Sequence, residues 1–218
     1  FGSRNRFIGR PSRICAAAHI RQVSRQPTVS SPSAVNGQPT VLACGAAVRD
    51  LEPAGYLEVV PIQGQIDLVA VEAMPRLPLV GARYLIPTSA GLAAGSTYEH
   101  RPWAPERATA ANVEQLAGTT TRHLARWRGT RSVSSDRTAI AGRLYRADGA
   151  PEPGLWVSSG HGSAGNVSTH LAAAVITAGL LGDAPPLARE VEAALSSWRF
   201  RERQARRGPR HGARAPQG

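Results

Sequence analysis

The sequence predicts a mixed fold of the α+β / α/β class, and three observations support this prediction. Strand-like segments lie before and after a helical segment along the chain. Residues 154–186 then run from an apolar strand through a glycine-rich loop into a long apolar helix. The length of 218 residues suits one ordinary domain or two small ones.

The predicted strands come first. "TVLACGAA", residues 40–47, predicts a short buried strand that ends near Gly45. "GYLEVVPIQGQIDLVAV", residues 55–71, alternates well enough for one or two strands, broken at Pro61 and Gly64. "ARYLIPTSAGLAAGSTYEH", residues 82–100, predicts a hairpin with its turn at residues 89–91.

Two further regions read as helices. The spacing of apolar residues over residues 106–127 predicts one or two amphipathic helices, interrupted near Gly118. "LAREVEAALSSWRF", residues 187–200, predicts another helix with one apolar face. Residues 199–218 are basic and rich in Gly and Pro, and we expect them to form a disordered tail.

The glycine-rich loop "GHGSAG", residues 160–165, is the strongest local signal. Its three glycines leave backbone N–H groups unshielded and allow the chain to approach a ligand closely. The helix that follows, from about Asn166 to Leu181 with Asn166 as its expected N-cap, directs the positive end of its dipole at the loop. It is apolar nearly all round, which predicts burial. This arrangement suits a phosphate, a carboxylate or the electron-rich end of a reduced flavin, but also a plain tight turn before a core helix.

The amino-acid composition excludes few classes of protein. The chain has 26 Lys+Arg against 15 Asp+Glu, a net charge of +11. None of these residues is lysine, and an all-arginine set can reflect codon bias, so we give the charge little weight. Cys15 and Cys44 form no disulfide framework, and the six histidines show no ligand spacing, so we expect no metal. No apolar run is long enough to span a membrane, and a soluble cytoplasmic protein is expected.

Several segments, in order, resemble the FAD-dependent oxidoreductases of the D-amino-acid oxidase type. The closest resemblance is to the C-terminal domain of bifunctional enzymes that modify the tRNA wobble uridine. The segments are "TVLACGAA", "VVPIQGQIDLV", "RYLIPTSAGLAAGSTYEH", "RGTRSVSSDRTAIAG", "GLWVSSGHGSAG" with "LLGDAPPL", and "SSWRFRER". Together they cover roughly residues 41–207.

The resemblance implies the C-terminal part of a two-domain flavoprotein, with an antiparallel substrate-domain sheet and flanking helices. It implies FAD as cofactor and tRNA as partner, with oxidative removal of the carboxymethyl group from a 5-carboxymethylaminomethyluridine. Arg131 occupies the position that holds the substrate carboxylate in relatives, a role that suits a planar guanidinium. The residues that correspond to flavin contacts are Gly45, Gly64, Gln65, Gly160, His161, Gly162, Ser163, Ala164 and Gly165.

The same resemblance divides the chain. Residues 1–55 correspond to a remnant of the FAD-binding domain, residues 56–130 to the substrate-domain sheet and helix, residues 131–198 to the returning FAD-domain strand, loop and helices, and residues 199–218 to the tail. The sequence departs from the family at Gln63 and Ala164, where arginine is usual, and at His170, where proline is usual. The N-terminal fingerprint, G-x-G-x-x-G after a first strand with an acidic residue about 20 positions later, is also missing.

These departures, and the start at Phe1 rather than methionine, leave alternatives open. One is an inactive fragment of such an enzyme, with N-terminal flavin-binding and methyltransferase segments missing. Another is an FAD-dependent oxidase of free glycine or D-amino acids. A third is a non-enzymatic basic RNA-binding module. A serine hydrolase built on Ser163, Asp183 and His211 follows the α/β-hydrolase order but is disfavoured, because His211 lies in the tail.

Overall fold

The computed structural model describes residues 38–207, which form eight strands and four α-helices. The strands are β1 (Thr40–Leu42), β2 (Val59–Val71), β3 (Leu79–Val80), β4 (Tyr84–Thr88), β5 (Gly91–Gly95), β6 (Thr121–Ser134), β7 (Ile140–Tyr145) and β8 (Pro151–Ser159). The helices are α1 (Pro105–Val113), α2 (Gly165–Leu181), α3 (Arg189–Leu195) and α4 (Trp198–Arg207).

Five strands form an antiparallel sheet in the order β3-β4-β5-β2-β6. Its two longest strands, β2 and β6, pair with each other from Val59↔Ser134 to Val71↔Thr121, with one irregularity near Leu68. Side chains alternate between the two faces along each strand. Helix α1 covers one face through its buried Ala108 and Asn112, and the other face carries the candidate site.

The second sheet has three strands in the order β1-β8-β7, with β1 parallel and β7 antiparallel to β8. Helix α2 follows β8 and packs back on this sheet. The contact is close because Gly179 has no side chain: a β-carbon there would collide with the Trp156 ring. The main core lies under this sheet and includes Leu155, Val157 and Phe200.

The predicted antiparallel sheet with flanking helices is confirmed, as is the hairpin of β4 and β5. The predicted break of β2 at Pro61 and Gly64 is wrong, because β2 runs unbroken from Val59 to Val71. The predicted boundary between residues 130 and 131 falls inside β6, so this strand belongs to both predicted parts. The proposed division of residues 1–55 lies largely outside the described residues.

The second half of the helix predicted over residues 106–127 is also wrong. Helix α1 ends at Val113, and after Gly118, whose φ is +84°, the chain becomes strand β6. The three threonines at residues 119–121 favour a strand, and pairing with β2 outweighs the helical spacing of the apolar residues.

Helix α2 begins at Gly165 after Ala164, so the expected N-cap at Asn166 is wrong. The helix is also not buried all round, since Val167 and Leu181 are 75% and 72% exposed in residues 38–207.

The expectation that residues 199–218 are disordered is wrong for residues 199–207, which belong to α4. Phe200 is fully buried in the core. Arg199 and Arg203 both form ion pairs with Asp136, with nitrogen to oxygen distances of 2.8 and 2.7 Å. Their charges therefore stabilise the docking of α4, and residues 208–218 lie outside the described part of the chain.

Candidate active site

Arg131 lies on the open face of the five-stranded sheet with its guanidinium group above Gly64. Nη1 donates a hydrogen bond to the carbonyl oxygen of Thr97 (3.2 Å), and Nη2 donates to Ser96 Oγ (2.6 Å). A β-carbon at Gly64 would collide with Nη1 and lie 2.8 Å from Cζ of Arg131, so the glycine is required for this placement. No carboxylate in residues 38–207 forms an ion pair with Arg131. Its charge is therefore available to an external anion.

Thr97 connects this guanidinium to a carboxylate buried on the other face. The Thr97 hydroxyl accepts from the Gln65 backbone N–H (2.8 Å) and donates to Glu99 Oε1 (2.6 Å). Glu99 Oε2 accepts from Arg128 (2.8 Å) and from the Trp103 backbone (2.9 Å). Burial acts to raise the pKa of Glu99, but these hydrogen bonds and the charge of Arg128 outweigh it and lower the pKa. Glu99 is therefore ionised and fixes Thr97 behind Arg131. Neither residue was predicted from the sequence.

Gln65 does not share the face of Arg131. Its side chain lies beneath α1, where Nε2 donates to both oxygens of Asp67 at 3.0 Å and to Thr109 Oγ1 at 2.9 Å. Asp67 also accepts from Asn112 (2.8 Å) and lies 3.0 Å from His123 Nε2. The Gln65 side chain therefore points away from the face of Arg131, because strand alternation sets its direction, and the predicted flavin contact of this residue stays a prediction. The residue anchors α1 to the sheet.

The glycine loop is held by the residue that follows Arg131. Ser132 accepts from the backbone N–H of Gly160 through its hydroxyl (3.2 Å) and from that of Gly162 through its carbonyl oxygen (2.8 Å). Gly160 and Gly162 have φ angles of +68° and +56°, which disfavour any side chain. The Ser159 hydroxyl donates to the carbonyl oxygen of Gly45 (2.9 Å). The structure thus places the predicted loop, Gly45 and Arg131 around one segment of β6.

His161 fastens the loop to the first turn of α2. The Ser168 hydroxyl donates to the Ala164 carbonyl oxygen (2.9 Å), so it accepts from His161 Nδ1–H (2.9 Å). Nε2 is left to accept from the Ser158 hydroxyl at 3.0 Å. Burial lowers the pKa of His161, and the ring is neutral near pH 7. Its two hydrogen bonds therefore link β8 to α2.

The N-terminus of α2 is open to a ligand. No side chain caps it, and its first turn contains no acidic residue. Ser163 and Ala164 are exposed in front of it, and a β-carbon at Gly162 would meet only Val133, at 3.8 Å. The uncapped N–H groups and the helix dipole favour a negative or electron-rich group here. These residues fit the ring end of a flavin, with Ala164 offering no charge where arginine is usual.

The spacing of the loop glycines is itself G-x-G-x-x-G: Gly160, Gly162 and Gly165 follow strand β8 and open helix α2. The glycine spacing of the fingerprint that the sequence was predicted to lack therefore occurs here, after β8. It differs from a complete dinucleotide fingerprint because, within residues 38–207, α2 leads into α3 and not into a parallel strand that ends in an acidic residue.

The hydrolase alternative fails on geometry. Ser163 and Asp183 flank opposite ends of the 17-residue helix α2, which at 1.5 Å per residue separates them by roughly 25 Å. His211 lies outside the described residues. Within residues 38–207 no group of three or more His, Cys, Asp or Glu side chains could hold a metal ion, and no helix is both long and apolar enough to cross a membrane.

Comparison with known proteins defines the class. Residues 13–180 match the family of FAD dependent oxidoreductases, and the chain belongs to this family. It is similar to the tRNA 5-methylaminomethyl-2-thiouridine biosynthesis bifunctional protein of Ralstonia nicotianae, with 31% identity over 74% of this chain and 30% of that protein. The protein of the same name from Maricaulis maris is 29% identical over 77% of this chain and 28% of that protein. The chain thus spans about 30% of the length of these relatives.

Solved structures agree on the fold. Glycine oxidase from Geobacillus kaustophilus matches with a TM-score of 0.60 and 19% identity, over 72% of this chain and 44% of that chain. Iminodiacetate oxidase from Chelativorans sp. BNC1 matches with a TM-score of 0.56 and 19% identity, over 73% of this chain and 50% of that chain.

Proposed function

We propose that the chain contributes the substrate-binding part of a flavin-dependent oxidase that acts on the C–N bond of an N-substituted glycine. The observation that carries this proposal is Arg131, a partly buried guanidinium with no acidic partner in residues 38–207, which directly precedes Ser132, the residue that holds the loop before an uncapped helix N-terminus. The names of the relatives point to a modified uridine of tRNA as the molecule that bears this group.

Each residue has a separate role in this proposal. Arg131 binds the substrate carboxylate through parallel hydrogen bonds and so fixes the carbon next to the nitrogen. Bound FAD supplies the chemistry by accepting the hydride that leaves this carbon. The first turn of α2 stabilises the negative charge that arrives there, and His161 keeps that turn in place. Hydrolysis of the oxidised C–N bond would then release the carboxymethyl part as glyoxylate.

Flavin binding is the first test. The purified 218-residue protein, mixed with FAD and separated from free FAD, should retain the absorbance of an oxidised flavin. Gly162→Val should abolish this retention, because the branched side chain strains a residue with φ of +56° and enters the space in front of α2. Gly118→Val is a matched control, since Gly118 also has a positive φ but lies far along the chain from the loop. Failure of the unmodified chain to bind FAD, even with an N-terminal flavin-binding segment supplied, would favour the inactive-fragment alternative.

The tRNA partner requires a different experiment. Deleting residues 199–218 would remove the buried Phe200 and unfold the protein, so the charge is better tested by Arg210→Gln with Arg214→Gln. Each lost phosphate contact should lower the slope of log affinity against log salt by about 0.9. An unchanged slope would mean that Arg210 and Arg214 make no phosphate contacts, and would overturn a role of these two charges in tRNA binding.

A further inference from the structure

A shallow cavity of about 310 Å³ lies beside Arg131 on the open face of β2 and β6. Trp127, Gly129 and Arg131 share this face because they alternate along β6, and Ile66 and Gly64 lie opposite the first two across the strand pair. The guanidinium of Arg131 folds back over Gly64, towards the Trp127 end of the cavity. The cavity therefore has a cationic end and an aromatic end.

Trp127 is the aromatic end, and its residue surface is 55% exposed. Within residues 38–207 neither an aromatic ring nor a guanidinium group stacks on it. The other tryptophans are used internally: Trp103 and Trp156 each stack against an arginine, and Trp198 packs against Tyr145. Trp127 alone of the four thus presents an unstacked ring in the described structure.

Gly129 lies between the two ends. Its φ is not in the left-handed region, and a β-carbon there would meet nothing within 4 Å. Neither backbone conformation nor packing in the described residues requires this glycine, although a glycine in the middle of a strand weakens the strand. It leaves an open floor on which atoms of a ligand can approach the backbone closely.

The distances suit one class of ligand. The guanidinium lies at the register position of Gly64 and Gly129, and Trp127 precedes Gly129 by two residues in β6, a backbone spacing of about 7 Å at 3.3 Å per residue. An extended chain of four bonds from a carboxylate carbon through an amine to a ring spans about 5 Å. A glycine carboxylate on Arg131 therefore brings a ring attached through one methylene group over Trp127.

We propose that Trp127 and Gly129 form a specificity subsite for a pyrimidine base attached to the amine, with Trp127 as the stacking surface and Gly129 as the floor. This inference rests on the proposed function and adds the residues that distinguish a modified uridine from a free N-substituted glycine. Stacking of a base on an aromatic side chain strengthens binding by about 5- to 150-fold.

The test compares two probes on the full-length protein with saturating FAD: 5-carboxymethylaminomethyluridine and N-methylglycine, with dissociation constants from calorimetry. Trp127→Leu should weaken the uridine about 5- to 150-fold and change N-methylglycine less than about twofold, whereas Trp127→Phe should retain most of the uridine affinity. Val80→Ala, on an exposed residue of β3 outside the cavity, should change neither probe.

Gly129→Val is the sharper variant because it separates binding from folding. A valine favours the strand, so the melting temperature should stay the same or rise, while its methyl groups fill the floor and uridine binding is lost. Equal effects of Trp127→Leu on both probes, or no effect on either, would overturn the subsite. If the unmodified protein binds N-methylglycine through Arg131 but the uridine no more tightly, the proposed function stands and the subsite fails. If it binds neither probe, both fail.

Discussion

Replacing Arg131 by alanine tests directly whether its guanidinium group binds the substrate carboxylate. A guanidinium group has five N–H donors, and the structure uses two of them, one to the Thr97 carbonyl oxygen and one to Ser96 Oγ. Three donors therefore remain, enough for a bidentate contact with a carboxylate. Losing such a charge-assisted pair should weaken binding by about 2–4 kcal/mol, or about 30- to 900-fold.

The assay is the dissociation constant for N-methylglycine, measured beside FAD content and melting temperature. The two internal hydrogen bonds of Arg131 go to Ser96 Oγ and to the carbonyl oxygen of Thr97, and Thr97 is buried. Their loss should lower the melting temperature, while FAD content should stay within about twofold. Arg122→Ala is the matched control, because it removes an equal charge from an exposed residue of the same strand.

Two results would refute this reasoning. If Arg131→Ala and Arg122→Ala weaken binding equally, the arginine acts only through the general positive field of the protein. If Arg131→Ala loses FAD and keeps its affinity for N-methylglycine, the guanidinium belongs to the cofactor site.

Three further predictions follow from the contacts. Gly64→Ala should displace the guanidinium and weaken N-methylglycine binding about tenfold or more, measured by calorimetry against Gly55→Ala, where a β-carbon fits at 3.6 Å. His161 has a folded-state pKa below its ordinary 6.5, so its contribution to stability is complete above that pH and is lost as pH falls through the lowered pKa; the melting temperature should drop on acidification, and less so in His161→Gln. Asp136→Asn should lower the free energy of unfolding in urea by about 2–4 kcal/mol, since the pKa of Asp136 is held far below its usual range by Arg199 and its other partners.

Local signals in the sequence were sufficient for some parts of this fold. One such part is the hairpin of β4 and β5, and another is the strand, loop and helix around residues 160–165. Both depend on turn residues and short apolar runs, which are properties of adjacent positions. Strand β6 could not be found in this way. Its apolar residues Leu124 and Trp127 fit a helical period with Leu116 by coincidence, and its pairing partner β2 lies about 60 residues earlier in the chain.

The candidate site also combines features that the sequence indicates with features that depend on strand pairing. Arg131 and the loop glycines were assigned through the order of family segments, whereas the direction of the Gln65 side chain depends on strand register, which the sequence does not show. Thr97 and Glu99 support Arg131 through a chain of hydrogen bonds that crosses the sheet, and no sequence spacing indicates it. The buried position of a glutamate beside an arginine in a strand pair becomes visible only when the pairing is known.

In the proposed site, the short segment from Arg131 to Ser132 joins the carboxylate-binding residue to the glycine loop. Successive residues of a strand point to opposite sides, so Arg131 is directed to the cavity while Ser132 holds Gly160 and Gly162 through its hydroxyl and carbonyl oxygen. One peptide bond joins the two residues, and the hydrogen bonds of Arg131 to Thr97 and Ser96 fix its guanidinium group, so the proposed carboxylate site is held at a set distance from the glycine loop. Transfer of a hydride needs the reacting atoms held about 3–3.5 Å apart in a fixed orientation, and in the proposed site this segment would contribute to holding them so.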